Sequence, residues 1–187
     1  MDLAGLVLQG LTLIIITLGV FLAVRQLKLL RLNTVAEQDW NRRRASQEYL
    51  YQVLARDVPT ITQEIEKEFG VNVFAPKQTY GTVAEGLEED QSQTLEIKVK
   101  ALFNMFELIA VGIKNNILDD EITYQYGALI FTAYFRWGSD LVGRFQEKNR
   151  IIWVEFEEAS KRWGKRMEED MARIVRPGRP PTEKPTS

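Results

Sequence analysis

The sequence predicts an all-α protein: one N-terminal transmembrane helix followed by a small antiparallel helical bundle. Three observations point there. Leu3 to Val24 carries no charged side chain. Further along, apolar residues step by four and three, the spacing of one helix face. No stretch reads as a strand, and no internal repeat is visible.

Residues 1–24 form the predicted transmembrane anchor. The uncharged run is 22 residues long, enough as a helix to cross about 30 Å of hydrocarbon. A cleaved signal peptide would need a basic start, a shorter apolar core and a small-residue cleavage site. Here Met1-Asp2 opens the chain and Arg25 follows the core directly. Arg25, Lys28 and Arg31 come just after the run and no cation precedes it. The positive-inside rule then places the N-terminus outside and the rest in the cytoplasm, at the cell (inner) membrane. These three cations are the candidate lipid-headgroup contacts. Gly5, Gln9, Thr12, Ile16, Gly19 and Ala23 step by four and three along one side of the span. Small and polar residues on one face allow close helix contact in lipid, so this is a candidate packing face for a homo-oligomer or a partner membrane protein.

Residues 25–58 read as a basic juxtamembrane helix, with no Gly or Pro from Arg25 to Arg56. Thr34 with Glu37 suits a capping box, so Asn33 allows either a bend or a long stalk. Residues 59–175 are the predicted cytoplasmic bundle. Pro59 suits the first position of a helix, and Gly70 suits its stop. Val71 to Gln91 reads as a loop, with Pro76, Gly81, Gly86 and an acidic group from Glu85 to Asp90. Leu95, Val99, Leu102, Phe106, Ile109 and Ile113 then mark the cleanest amphipathic helix, starting after Ser92. Asn115-Asn116 suits its left-handed end, and Asp119 suits the cap of the next helix. That helix is rich in aromatic residues and has a candidate bend at Gly138-Ser139. A last helix is expected from about Ile151 to Ile174, burying Ile152, Phe156, Ala159, Trp163 and Met167. Its other side carries Glu157/Lys161 and Glu158/Arg162 pairs. Residues 176–187, rich in proline, read as a disordered tail.

The chain has no Cys and no His, and its formal charge is -2. Disulfides, Cys/His zinc sites and histidine-based triads are therefore excluded. The charge also argues against bulk nucleic-acid binding. No phosphate-binding glycine loop and no nucleophile elbow is present, so the chain reads as a non-enzyme with no cofactor and no metal.

The run Leu102-Phe103-Asn104-Met105-Phe106-Glu107-Leu108-Ile109-Ala110-Val111-Gly112-Ile113, with Ile117-Leu118-Asp119-Asp120-Glu121, resembles a bacterial family known only as a domain of unknown function. The resemblance extends over roughly Leu22 to Arg173. It implies a bacterial origin and the same layout: a membrane helix, a basic juxtamembrane helix, an Asn-x-x-Glu helix, an aromatic helix and a late tryptophan helix. It implies no reaction.

Asn104 and Glu107 lie one turn apart and form a candidate structural polar pair, with Glu107 expected to meet Arg43 or Arg136. The competing reading is the plain solvated face of an amphipathic helix. Asp119, Asp120 and Glu121 invite a hard cation, but adjacent carboxylates at a helix start do not converge, and capping explains them. The basic run Arg42-Arg43-Arg44 would stand about 27 Å beyond Val24 on a straight helix, past a Debye length of about 8 Å. Two functional readings follow. The first is a single-pass, membrane-anchored interaction or scaffolding module at the cytoplasmic membrane face. The alternative is an oligomerising membrane effector that perturbs the bilayer.

Overall fold

The computed structural model describes residues 3–175, with side chains for residues 24–174. Every regular element among them is helical: α1 (Leu3–Gln52), a π-helical turn (Val53–Asp57), α2 (Val58–Phe69), α3 (Tyr80–Ala84), α4 (Glu89–Lys114), α5 (Asp120–Lys148) and α6 (Val154–Val175). The chain divides into two compact units, residues 1–42 and the chain from Arg43 onward.

The first unit is helical from Leu3. No bend interrupts it at Asn33. Thr34 does not cap a new helix, because its hydroxyl donates to the Leu30 carbonyl one turn back (2.9 Å). Val24, Leu27, Leu29, Leu30, Leu32, Val35 and Trp40 are all largely exposed. Arg42 pairs with Asp39 at 3.2 Å. Among the described residues no helix is long and apolar enough to cross a membrane. The uncharged run that predicts the anchor lies, apart from Val24, outside the described side chains, and so do Gly5, Gln9, Thr12, Gly19 and Ala23.

The second unit starts within α1. Pro59 does not open a fresh helix after a cap, as the sequence suggests. Gln52 and Asp57 both keep right-handed helical angles, and the chain passes through the π turn into α2. Proline explains the wide turn: Pro59 has no N–H to give Ala55, and the Val58 N–H instead reaches back five residues to Val53. Gly70, at φ +65°, ends α2.

The stretch read as a loop holds a short helix. Thr79 and Thr82 cap α3 reciprocally, and Asp140 accepts the Gly81 N–H at 2.5 Å. This seats Tyr80 edge-on against buried Trp137, with ring centres 5.8 Å apart. Helix α4 begins earlier than Ser92, since Gln91 reaches back to the Glu88 N–H.

Helices α4, α5 and α6 enclose the core. α5 runs antiparallel to both neighbours: Lys100 lies over Phe145 while Phe106 meets Phe131, and Phe145 meets Trp153 while Tyr124 bonds to Asp170. Phe103, Phe106, Phe131 and Phe156 are fully buried: Phe156 is in ring contact with the other three, and Phe106 also meets Phe131. α5 carries a kink at Gly138 (φ -107°, ψ 16°). α6 starts at Val154, because Trp153 takes a left-handed conformation (φ +55°) that cannot continue a helix.

Candidate functional site

The site grows from the C-terminal half of α4. Asn104 and Glu107 face the start of α6. Asn104 Oδ1 accepts the Trp153 indole N–H at 2.8 Å. Trp153 occupies the capping position but has no oxygen to offer the first amides of α6. Glu107 supplies it from another helix: its Oε2 accepts the Phe156 N–H at 2.7 Å and its Oε1 the Glu155 N–H at 3.4 Å. The Asn-x-x-Glu spacing therefore clamps one residue and the helix that follows it. Burial holds the Glu107 carboxyl above its ordinary range, and the two amides and Lys114 offset this only in part. Lys114 is paired with Glu155 alongside.

Glu107 does not meet an arginine, contrary to the expectation from sequence. Arg43 pairs with Asp119 at 3.4 Å. Arg136 reaches the Val73 and Phe74 carbonyls at 3.4 and 3.5 Å. The physical reason is the Trp153 turn. It leaves the α6 amides open beside Glu107, and these satisfy the carboxylate locally.

Asp119 builds the second corner. It caps α5 by accepting the Ile122 N–H at 3.1 Å, and its own N–H donates to buried Ser46 at 2.8 Å. The other two acids are bound by α6: Asp120 by Arg162 (2.7 Å) and the Trp163 indole (3.2 Å), Glu121 by Arg166 (2.7 Å). Arg166 also stacks on Tyr124, 3.8 Å from its ring centre. Among the described residues no acidic cluster is arranged to hold a metal ion. At the start of α5 these carboxylates instead meet two guanidinium groups and an indole N–H.

Between the two corners lies an open apolar groove of about 430 Å³, lined by Ala45, Tyr49, Leu108, Val111, Ile117 and the Gly112–Leu118 contact. The turn after α4 makes it. Asn116 is left-handed (φ +56°), and the Ile117 and Leu118 amides both return to the Gly112 carbonyl at 2.9 and 3.0 Å. A side chain at residue 112 would press on Leu118, 2.9 Å away, so glycine lets the turn close. Leu118 is driven inward while Ile117 and Leu108 remain 65% exposed. Tyr49 brings the one hydroxyl to a lining that is otherwise apolar. Such a groove can bind an apolar surface.

Residues 13–163 match the family described as Domain of unknown function (DUF4760). The chain belongs to that family. The matched segment takes in the clamp at Asn104 and Glu107, the groove and the first part of α6, as far as Trp163. No curated protein matches the chain, and neither does any solved structure.

Arg25, Lys28 and Arg31 are exposed on α1 in the first unit. Asn104, Glu107 and Arg43 fall at two different corners of the second. Sequence reasoning passed over Trp153, Ser46, Tyr49 and the groove itself. One signal pointed to the groove: Leu108 and Ile117 are apolar yet lie off the buried stripe through Leu102, Phe106 and Ile109.

Proposed function

We propose that the chain is a single-pass, membrane-anchored interaction module whose helical bundle faces the cytoplasm. One observation carries the anchor: the uncharged run Leu3–Val24 is followed at once by Arg25, Lys28 and Arg31. The apolar groove at Tyr49, Leu108 and Ile117 supports the interaction role, because a surface of this kind gains stability when a partner covers it. The reading is non-catalytic and takes lipid as its first partner, through the three cations.

The test pairs topology with assembly. A reporter fused after Ser187 should be active in the cytoplasm and silent outside. Activity outside the cytoplasm overturns the orientation. Detergent-extracted full-length chain should then run as a complex that Leu108→Glu with Ile117→Glu disperses. A large homo-oligomer that leaks dye from liposomes, indifferent to those substitutions, would favour the membrane-effector alternative.

A further inference from the structure

We propose that the trough between α5 and α6 binds an amphipathic helix of a partner protein, one that brings an acidic residue to Arg136 and a basic residue to Glu168. This trough is separate from the α1–α4 groove, and the inference holds whether or not Leu3–Val24 is an anchor. Its volume is about 410 Å³. Its floor is made of small residues, Thr132, Ala133 and Gly164. Its walls are Phe74, Leu129, Met167 and Met171. Three of those walls are half or more exposed: Phe74 at 50%, Leu129 at 61% and Met171 at 66%. A low floor between tall apolar walls accepts the ridge of a helix, whose large side chains recur at i, i+3, i+4 and i+7. Unbranched thioethers at Met167 and Met171 adapt to such side chains at little cost.

The charges specify the occupant. Arg136 and Glu168 both line the trough. Neither has an ion-pair partner among the described residues. Arg136 makes only long contacts, 3.4 and 3.5 Å, to two carbonyls of the preceding loop. Two of the nearby cations on α6 are committed elsewhere, Arg166 on Glu121 and Arg173 on Asp170, and Lys165 does not line the trough. The trough thus offers one open cation and one open carboxylate beside an apolar strip. An anionic amphiphile would satisfy Arg136 and be opposed by Glu168. A helix carrying both signs satisfies both.

The test uses full-length chain in neutral detergent and two labelled synthetic peptides. Each has leucines at helical spacing, with Glu at one end and Lys at the other. The second peptide exchanges the Glu and the Lys. Fluorescence anisotropy should show one isomer binding about tenfold tighter than the other, the scale of a well-placed charge pair. The double variant Arg136→Glu with Glu168→Lys should reverse the preference, with near-UV circular dichroism unchanged. Binding of neither peptide overturns the proposal, and so does an unchanged preference in the double variant. Binding of laurate that needs Arg136 and ignores Glu168 would also overturn it, in favour of an anionic amphiphile.

Discussion

Glu107 carries two roles in one carboxylate: it caps a helix it does not belong to, and it does so half-buried. The cap is favourable. Two amides at the start of α6 would otherwise lack acceptors. Glu107→Ala should therefore destabilise the bundle by about 1–2 kcal/mol at neutral pH, the usual worth of a helix cap. The charge itself works against folding, because burial raises the carboxyl above its ordinary 4.5. Below the ordinary value both states are protonated and the group contributes nothing. As pH rises toward the raised native value, the unfolded chain loses its proton first, so stability falls. Glu107→Gln keeps an acceptor oxygen and removes this titration. The stability of the parent relative to Glu107→Gln should thus decline as pH rises through and above the ordinary carboxylate range. Urea unfolding of both chains across that range measures it, and a flat difference would refute the raised carboxyl.

At the scale of elements, Gly138 sets two effects against each other. Alanine at a helix position is favoured over glycine by about 0.5–1 kcal/mol. At this kink, however, a Cβ would collide with the ring of fully buried Phe103. Phe103 cannot yield, because Trp153 and Phe156 hold it at ring distances of 5.3 and 5.2 Å. Overpacking of a tight core costs about 1–3 kcal/mol, so it outweighs the propensity gain. Gly138→Ala should lower the midpoint of thermal unfolding. Adding Phe103→Leu should recover part of the loss relative to Phe103→Leu alone. If Gly138→Ala raises the midpoint, the bend is not set by packing against α4. The π turn shows the same logic in the backbone. Pro59 removes one hydrogen bond, and the chain widens the turn instead of ending the helix.

Over the whole molecule, stability rests on an aromatic cluster shared by three helices. Phe106 of α4 touches Phe131 and Tyr134 of α5 and Phe156 of α6, at 4.8, 5.2 and 5.2 Å. Trp163 closes the same cluster against Phe131 at 4.9 Å. Phe106→Ala should cost about 3–5 kcal/mol, since the cavity would be lined by rings already packed on several sides. Near-UV and far-UV circular dichroism should lose their signals together, because no one of these helices keeps an independent core. Trp163→Ala should behave alike. Separate transitions would mean that α6 docks independently. This packing leaves apolar side chains exposed at both the groove and the trough, Leu108 and Ile117 in the first and Leu129 and Met171 in the second.

The helical class, the stripe from Leu95 to Ile113, the asparagine turn and the Asp119 cap were legible in the sequence alone. Each depends on neighbours within about one or two turns, and local chemistry decides such features. The absence of Cys and His likewise excluded whole classes of chemistry before any fold was known. Which acid meets which base was not legible. Arg43 goes to Asp119, Arg162 leaves its i, i-4 neighbour Glu158 for Asp120, and Glu107 meets amides. Trp153 gives no local hint of a left-handed turn, since only the Asn104 contact and the Glu107 cap make that conformation worth its cost. Local periodicity determines which face of a helix is apolar. Tertiary packing alone decides whether that face is covered, which is why Leu102 became core and Leu108 became surface six residues further on.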